Sequence, residues 1–344
     1  MISCSALWAL VNLTCDTDIA TIFGSIGGIV TLVDLLEARQ SDDTFSPVLN
    51  AALCVVRNLS SATSYNYNIF ASTSVCKIVS NVLMKFYTSD VAAGEISLNT
   101  ISNLSCDEEL STHVAKIDGC FEIILKALHH YSATAMYTAN LSCGEIEDDG
   151  PVSAAIWAVR NLAGSRHDNQ LKLCDLGALG MLANVFEFFP GQYANICGAI
   201  LNLVADNDAG KFEAKQFGLC DKVVGAVTNS ITDASVCLFG AKAIANLARN
   251  NTYNTRRLTE LKACELTVKA LEAHKEHIEV SLACCDVLLH LHYTSDEMKD
   301  ALAVKGVLSE DRVKATCSPE ATFEDIYSIW IVSDATLSKY SNIK

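Results

Sequence analysis

The chain has 344 residues, of which half are apolar and only 7% are aromatic, and its formal net charge is −15 at pH 7. This charge disfavours tight binding to nucleic acid or to an anionic membrane through bulk electrostatics. No run of about eighteen apolar residues occurs, so we expect no direct membrane insertion.

One short pattern recurs along the chain. Around Asn161 an apolar helix carries an asparagine followed by leucine, and Gly164 is predicted to end that helix. We call this asparagine the marker position; it recurs at intervals of 46, 45, 58, 41, 44 and 44 residues. The markers are Asn12, Asn58, Asn103, Asn161, Asn202, Asn246 and His290. A period in the forties predicts a helical solenoid.

The first copy lies at the start of the sequence. Ser3 to Leu13 is predicted to be the third helix of a repeat, which would expose Leu7 and Leu10. Because the end of a solenoid needs a polar cap, two interpretations stay open. Either the sequence is incomplete at this end, or a partner or an upstream segment covers it.

Each full period is predicted to contain three helices. In one copy these are Asn169–Asp175, Ala178–Phe188 and Tyr193–Ala205, with a break at Gly177. In the third helix, the apolar residues six, five and two before the marker and one after it form a buried stripe. The marker and the residue four before it share a neighbouring face, which points at solvent or a ligand. The break recurs sixteen residues after each marker, at Gly28, Ser74, Gly119, Gly177, Gly218, Lys262 and Gly306.

The regular spacing fails once. The interval after Asn103 is 58 residues, and the excess lies in an irregular insertion at 132–150. A decayed repeat and an inserted surface loop with the acidic run Glu145–Gly150 both stay open, the loop being slightly favoured. We predict a solenoid over 1–315 and a divergent helical cap or tail over 316–344, whose role is open.

The fifteen cysteines are predicted to pack in the core rather than to bind metal or form disulfides. Cys76, Cys220 and Cys264 stand in one register column, eighteen residues after their markers, where valine or leucine stands in other copies. No Cys-x-x-Cys pair occurs, so zinc-ligand spacing is missing. Because no nucleotide-binding or hydrolase motif is found either, we expect no cofactor, no metal and no enzymatic activity. Reduced cysteines suit the cytoplasm, with the nucleus as an alternative.

The period, the glycine column and the Asn-Leu column together resemble the armadillo-repeat family over roughly Met1 to Lys314. The resemblance implies an all-α, right-handed superhelical solenoid of about seven three-helix repeats. In that family the third helices line a concave groove, and their asparagines hold the backbone of an extended peptide. The residues implied to bind a partner are Trp8, Asn12, Arg57, Asn58, Asn99, Asn103, Trp157, Arg160, Asn161, Asn202, Lys242 and Asn246. Arg57, Arg160, Lys242 and Arg249 would select acidic ligand residues.

We therefore predict a non-catalytic scaffold that binds an extended protein segment in the groove. One alternative is a nuclear import adaptor for basic peptides, because Trp8-x-x-x-Asn12 and Trp157-x-x-x-Asn161 resemble the binding pairs of importin-α. A second alternative is a structural subunit of a larger assembly that binds through its end or convex face. The partner, the pathway and the oligomeric state are left open.

Overall fold

The computed structural model describes residues 4–142 and 149–291. These residues form nineteen α-helices and one short 3-10 helix, Pro190–Gln192, with no β-strand among them. The chain divides into two compact units, Met1–Leu203 and Val204–Lys344. The all-α prediction is confirmed, whereas the predicted tail at 316–344 and Gly306 lie outside the described residues.

The helices follow the predicted three-helix period. The third helices are α1 (Cys4–Leu13), α4 (Pro47–Ala62), α7 (Val91–Leu104), α10 (Gly150–Ser165), α13 (Tyr193–Val204), α16 (Ala234–Ala248) and α19 (Ile278–Leu291). The first helices are α2 (Thr17–Ser25), α5 (Ser64–Ala71), α8 (Glu108–Ala115), α11 (His167–Asp175), α14 (Asp208–Gln216) and α17 (Thr252–Glu260). The second helices are α3 (Gly28–Arg39), α6 (Val75–Phe86), α9 (Cys120–Ser142), α12 (Ala178–Phe186), α15 (Leu219–Asn229) and α18 (Ala263–Ala273).

The predicted apolar stripe of the third helices forms the core. In α10 its four members, Ala155, Ile156, Val159 and Leu162, are each 0% exposed. Within the first unit α1 packs on α4, α4 on α7 and α7 on α10, and within the second unit α16 packs on α19. Burying a large aliphatic side chain contributes about 1.5–3 kcal/mol, so this stripe drives the stacking.

Five of the six described breaks between first and second helices contain a residue in left-handed backbone, whereas Ser74, at the sixth, has φ −84°. Gly119, Gly177 and Gly218 have φ of 75°, 82° and 63°, as the column predicted, because glycine adopts positive φ without steric cost. In the first copy the left-handed residue is Gly27, one position earlier than predicted, and Gly28 begins α3. Lys262 adopts φ 59° in the same column although it has a side chain.

The insertion continues a helix. The second helix α9 runs over 23 residues, from Cys120 to Ser142, whereas the other second helices have between 9 and 12. Of the predicted insertion at 132–150, residues 132–142 thus form neither a loop nor a separate third helix of a decayed repeat. They extend α9 instead. Residues 143–148, with Glu145, lie outside the described residues.

The first third helix is better covered than the sequence predicted. Leu7 is fully buried and Leu10 is half-buried, because α1 packs on α4. Exposed apolar side chains near this end lie instead mainly on α1, α2 and α3 and at the α2–α3 turn. They are Trp8, Leu13, Ile19, Ile22, Ile26 and Val30.

Most described cysteines pack in the interior. Cys76 and Cys220 are buried and Cys264 is half-buried, in line with the register column. Cys15 and Cys106 depart from the prediction, because both thiols are exposed on the side of the third helices that carries the markers.

No single described helix is long and apolar enough to span a membrane. Two helix pairs, α2 with α3 and α5 with α6, reach a suitable length and composition only when counted together. They are bent by 79° and 82°.

Candidate peptide-binding face of the third helices

The marker asparagines of the first unit form a ladder of hydrogen bonds between repeats. Each side-chain Nδ2 donates to the backbone carbonyl of the residue just before the preceding marker. The pairs are Asn58 with Val11 (2.9 Å), Asn103 with Arg57 (3.1 Å), Asn161 with Ser102 (3.0 Å) and Asn202 with Arg160 (2.8 Å). Residue types alone did not reveal these bonds, since any residue supplies a backbone carbonyl.

Two of these bonds are accepted by carbonyl groups at the ends of helices. The last four carbonyls of an α-helix have no partner within the helix, and Val11 and Ser102 lie in the last turns of α1 and α7. The asparagine of the next repeat therefore ties the end of one third helix to its neighbour. A net contribution of about 0.5–1.5 kcal/mol is typical of one such bond.

The ladder leaves the asparagines with unequal capacity for a ligand. Asn58 is saturated: its Nδ2 also lies 3.4 Å from Thr14 Oγ1, and its Oδ1 accepts from Arg57 Nη2 at 3.1 Å. Asn161 Nδ2 reaches both Ser102 Oγ at 3.0 Å and Cys106 Sγ at 3.3 Å, which uses both N–H groups.

Asn103 and Asn202 keep the largest capacity in this ladder. Within the described residues, each makes no side-chain hydrogen bond besides the one to the preceding repeat. Each amide thus retains one N–H donor and its carbonyl oxygen, the two groups that a peptide backbone requires. Both side chains are half-exposed.

All predicted partner-binding residues are accessible to some degree. Trp8 and Trp157 are 42% and 37% exposed, and Asn12 is also exposed. The partly exposed residues are Arg57, Asn58, Asn99, Asn103, Arg160, Asn161, Asn202, Lys242 and Asn246. Whether they contact a partner stays a prediction.

Trp157 and Arg160 contact each other on this face. The Arg160 Cζ lies 4.6 Å from the centroid of the Trp157 ring, within the range of a cation–π contact. Arg160 Nη1 donates to Asn195 Oδ1 at 3.3 Å. The guanidinium also lies against Gly198, where a Cβ would come within 2.6 Å of Nε. The absence of a side chain at Gly198 therefore makes room for this arginine.

A chain of hydrogen bonds holds Asn195 beneath the arginine. Asn195 Nδ2 donates to Gln192 Oε1 at 2.9 Å, and Gln192 Nε2 donates to Asp149 Oδ2 at 2.8 Å. Partial burial lowers the pKa of Arg160, yet an arginine stays charged at neutral pH. The Arg160 guanidinium of the chain itself is therefore held against the Trp157 ring.

Gly164 has a different role from the one predicted. Helix α10 continues through it to Ser165, so it does not end the helix. A Cβ at Gly164 would lie 2.5 Å from Asn202 Nδ2. Glycine at this position allows the amide of Asn202 to approach α10 and reach the Arg160 carbonyl.

The second unit carries the remaining predicted residues. Lys242 and Asn246 are partly exposed on α16. Arg249, predicted to select acidic ligand residues, donates to Asp286 Oδ2 at 3.2 Å and to His290 Nε2 at 3.0 Å. An internal carboxylate therefore already neutralises this arginine.

A second asparagine column was missed in the sequence. Asn66, Asn169 and Asn254 stand eight residues after their markers and are buried. Asn66 Nδ2 donates to the Leu59 carbonyl at 3.0 Å, and Asn254 Nδ2 donates to the Leu247 carbonyl at 3.1 Å. This column fastens a first helix to the end of the third helix before it. Three asparagines at one register position were the available signal.

Neither a protein-family model nor a curated protein sequence matches this chain. Solved structures do match. A crystal structure of an engineered protein from the Northeast Structural Genomics Consortium has a TM-score of 0.73 and 16% identity, over 91% of this chain and 73% of that one. A designed armadillo repeat protein has a TM-score of 0.63 and 17% identity, over 76% of this chain and 99% of that one.

A further designed armadillo repeat protein, in complex with the peptide (KR)4, matches with a TM-score of 0.58 and 17% identity over 76% of this chain and 98% of that one. At such identities the likeness concerns the fold alone. The fold is an armadillo-type α-solenoid. Among the described residues, no group of three or more His, Cys, Asp or Glu side chains is arranged to hold a metal ion.

Proposed function

We propose that this protein is a non-catalytic scaffold whose third-helix face in the first unit binds an extended protein segment, and that this segment is acidic rather than basic. The observation that supports the charge preference is the position of Arg160, stacked on Trp157 and held by Asn195. A basic ligand side chain would meet a cation where it would otherwise stack on the indole.

The amides support the binding of a backbone. Asn103 and Asn202 each keep a donor and an acceptor on the accessible face, and a peptide strand that loses water needs such partners. Neighbouring packed helices lie roughly 8–10 Å apart and an extended peptide advances about 3.3 Å per residue, so each repeat meets about three ligand residues. The ladder from Asn12 to Asn202 would then hold about 12 residues.

Local charge supports an acidic ligand despite the net charge of −15. In the first unit, the positions four and one before the marker and three after it include Arg57 and Arg160 and no carboxylate. Charges beyond about 8 Å are largely screened at physiological ionic strength, so the nearest groups decide the preference. Long-range repulsion would still limit the affinity at low salt.

The similar designed proteins support peptide binding by this fold, since one of them is in complex with (KR)4. That ligand is basic. Our proposal for this chain differs because its own Arg160 covers Trp157. The import-adaptor alternative would require that arginine to leave the indole.

A titration tests the proposal. Fluorescently labelled peptides of about 12 residues, one of alternating Glu and Ser and one of alternating Lys and Ser, would be titrated with wild type, Arg160→Ala and Arg256→Ala. Arg256 is an exposed arginine on α17, so its removal controls for net charge. We expect the wild type and R256A to prefer the Glu peptide. R160A should weaken Glu-peptide binding about tenfold, as expected for one lost charge-assisted contact.

Two results would count against the proposal. Preference of the wild type for the Lys peptide would favour the import-adaptor alternative. Equal effects of R160A and R256A would show that net charge, and not the Trp157–Arg160 pair, sets the preference.

A second candidate function rests on a different observation. Ile22 and Ile26, on α2 and at its end, are 58% and 74% exposed, which suits a structural subunit that binds through this end. Changing both to Ser should then reduce assembly, measured by light scattering at increasing protein concentration. An unchanged mass would remove this candidate's support.

A further inference from the structure

The second helices of the first unit form a pocket on elements separate from the marker ladder. It lies between the end of α6, the helix α9 and the helix α12, and its volume is about 510 Å³. This volume falls in the range of about 300–1,000 Å³ that small-molecule sites occupy. No described residue of a third helix lines it.

One stripe of α9 supplies most of the lining. Lys126, His129, His130, Ala133, Thr134 and Tyr137 line the pocket at helical spacing. From Lys126 to Tyr137 the stripe is roughly 16 Å long, from a rise of about 1.5 Å per residue. Its distal half exists only because α9 continues to Ser142. The insertion therefore supplies Ala133, Thr134 and Tyr137 to this surface.

The charge of the pocket is opposite to that of the chain. Among the described residues, its lining includes one lysine and two histidines and no carboxylate, whereas the whole chain has 40 acidic and 25 basic residues. Lys126 and His129 are exposed, and among the described residues Lys126 forms no ion pair. Lysine ammonium groups, imidazole N–H groups and phenol hydroxyls are all donors, which suits an anion.

Aromatic rings line the same pocket. Tyr87 and His130 meet edge to face with ring centroids 5.7 Å apart, which fixes one wall. Tyr137 is 66% exposed, so its ring is available to a flat ligand. Aromatic rings and one lysine ammonium group within about 16 Å of each other suit a ligand that joins a planar ring to an anionic group.

We infer that this pocket binds a small aromatic phosphate, of which a nucleoside monophosphate is the simplest form. The phosphate binds at Lys126 and His129, and the planar base packs on the exposed ring of Tyr137. A phosphate is preferred to a single carboxylate because it carries nearly two charges and three acceptor oxygens, which match several donors.

Calorimetric titration of the full chain tests the inference. The probes are adenosine 5′-monophosphate, adenosine and inorganic phosphate. Adenosine monophosphate should bind at least about tenfold more tightly than either part, since ring and anion act together. Lys126→Gln should weaken its binding about tenfold, the loss of one charge-assisted hydrogen bond. Tyr137→Ala should weaken binding of adenosine monophosphate and adenosine but leave phosphate unchanged.

Lys77→Gln is the matched control. Lys77 is exposed on α6 in the same unit and does not line the pocket, so its removal changes net charge alone. K77Q should bind like the wild type. Thermal melts should show that all variants fold, since each altered side chain is exposed.

Three results would overturn the inference. One is the absence of saturable binding of adenosine monophosphate up to about 5 mM, which corresponds to a binding free energy weaker than about 3 kcal/mol. Another is wild-type affinity in both K126Q and Y137A. The third is an equal loss in K126Q and K77Q, which would assign the binding to net charge.

Discussion

The marker asparagine connects the fold to the proposed site. Its Nδ2 fastens one third helix to the next, while its position on the third helix leaves it accessible to solvent. The sequence predicted the accessible face correctly, because helical periodicity separates it from the buried stripe. It could not predict the internal bond, because the acceptor is a backbone carbonyl and leaves no trace in residue types.

This dual role changes how the asparagines should be tested. We expect Asn161→Ala to lower the free energy of unfolding by about 1–3 kcal/mol, since it removes donors to the Ser102 carbonyl and hydroxyl. Asn99→Ala is the control: Asn99 lies on the same face and makes no side-chain hydrogen bond among the described residues. Its cost should stay within about 0.5 kcal/mol. Urea unfolding measures both, and equal costs would show that the ladder does not stabilise the fold.

Elements were predicted better than their connections. The helices of one repeat were expected at Asn169–Asp175, Ala178–Phe188 and Tyr193–Ala205, and they lie at His167–Asp175, Ala178–Phe186 and Tyr193–Val204. The extension of α9 was not predicted, because residues 131–142 have neither the period of a full repeat nor a breaker. The contact between Arg160 and Trp157 also depends on a glycine, Gly198, in the next repeat. Spacing within one helix does not reveal it.

The breaks between first and second helices can be tested by replacing glycine with alanine at a break and within a helix. Gly218 has φ 63° and Gly225 lies within α15, and no atom lies within 4 Å of an added Cβ at either position. Gly218→Ala should destabilise the protein by about 1 kcal/mol, since an L residue is strained in left-handed backbone. Gly225→Ala should stabilise it by up to about 1 kcal/mol, because alanine favours helix. Thermal or urea unfolding would show the opposite signs, and changes of the same sign would contradict the assigned backbone.

The register position sixteen residues after each marker also predicts a substitution that stabilises the protein. Lys262 has φ 59°, so Lys262→Gly should relieve strain and raise the free energy of unfolding by about 0.5–1 kcal/mol. The gain is reduced by the greater freedom of glycine in the unfolded chain. Urea unfolding measures it, and a loss of stability would mean that the Lys262 side chain contributes more than the strain costs.

At the scale of the whole molecule, buried thiols make stability depend on alkaline pH. Burial raises the pKa of Cys76, Cys197, Cys220 and Cys285 from 9.0 to about 12. Above pH 9 the unfolded chain loses these protons while the folded chain keeps them. The contribution of these thiols to the free energy of unfolding is therefore fully present below about pH 9 and is lost as the pH rises toward 12.

Urea unfolding at about pH 8 and about pH 10 tests this dependence. The wild type should lose stability between the two values, by at most about 1.4 kcal/mol for each such thiol. Cys197→Ala should lose less than the wild type over the same interval, whatever its stability at the lower pH. An equal loss in C197A would show that this thiol ionises alike in both states.

The most direct test of the central claim is a selection of ligands without a preset charge. Random peptides of about 12 residues would be displayed and selected on immobilised wild type, on R160A and on R256A. We predict that the wild-type and R256A pools become enriched in Asp and Glu and depleted of Lys and Arg, and that R160A loses this bias. A wild-type pool enriched in Lys and Arg, or the same pool from all three baits, would contradict a peptide site governed by Arg160 and Trp157.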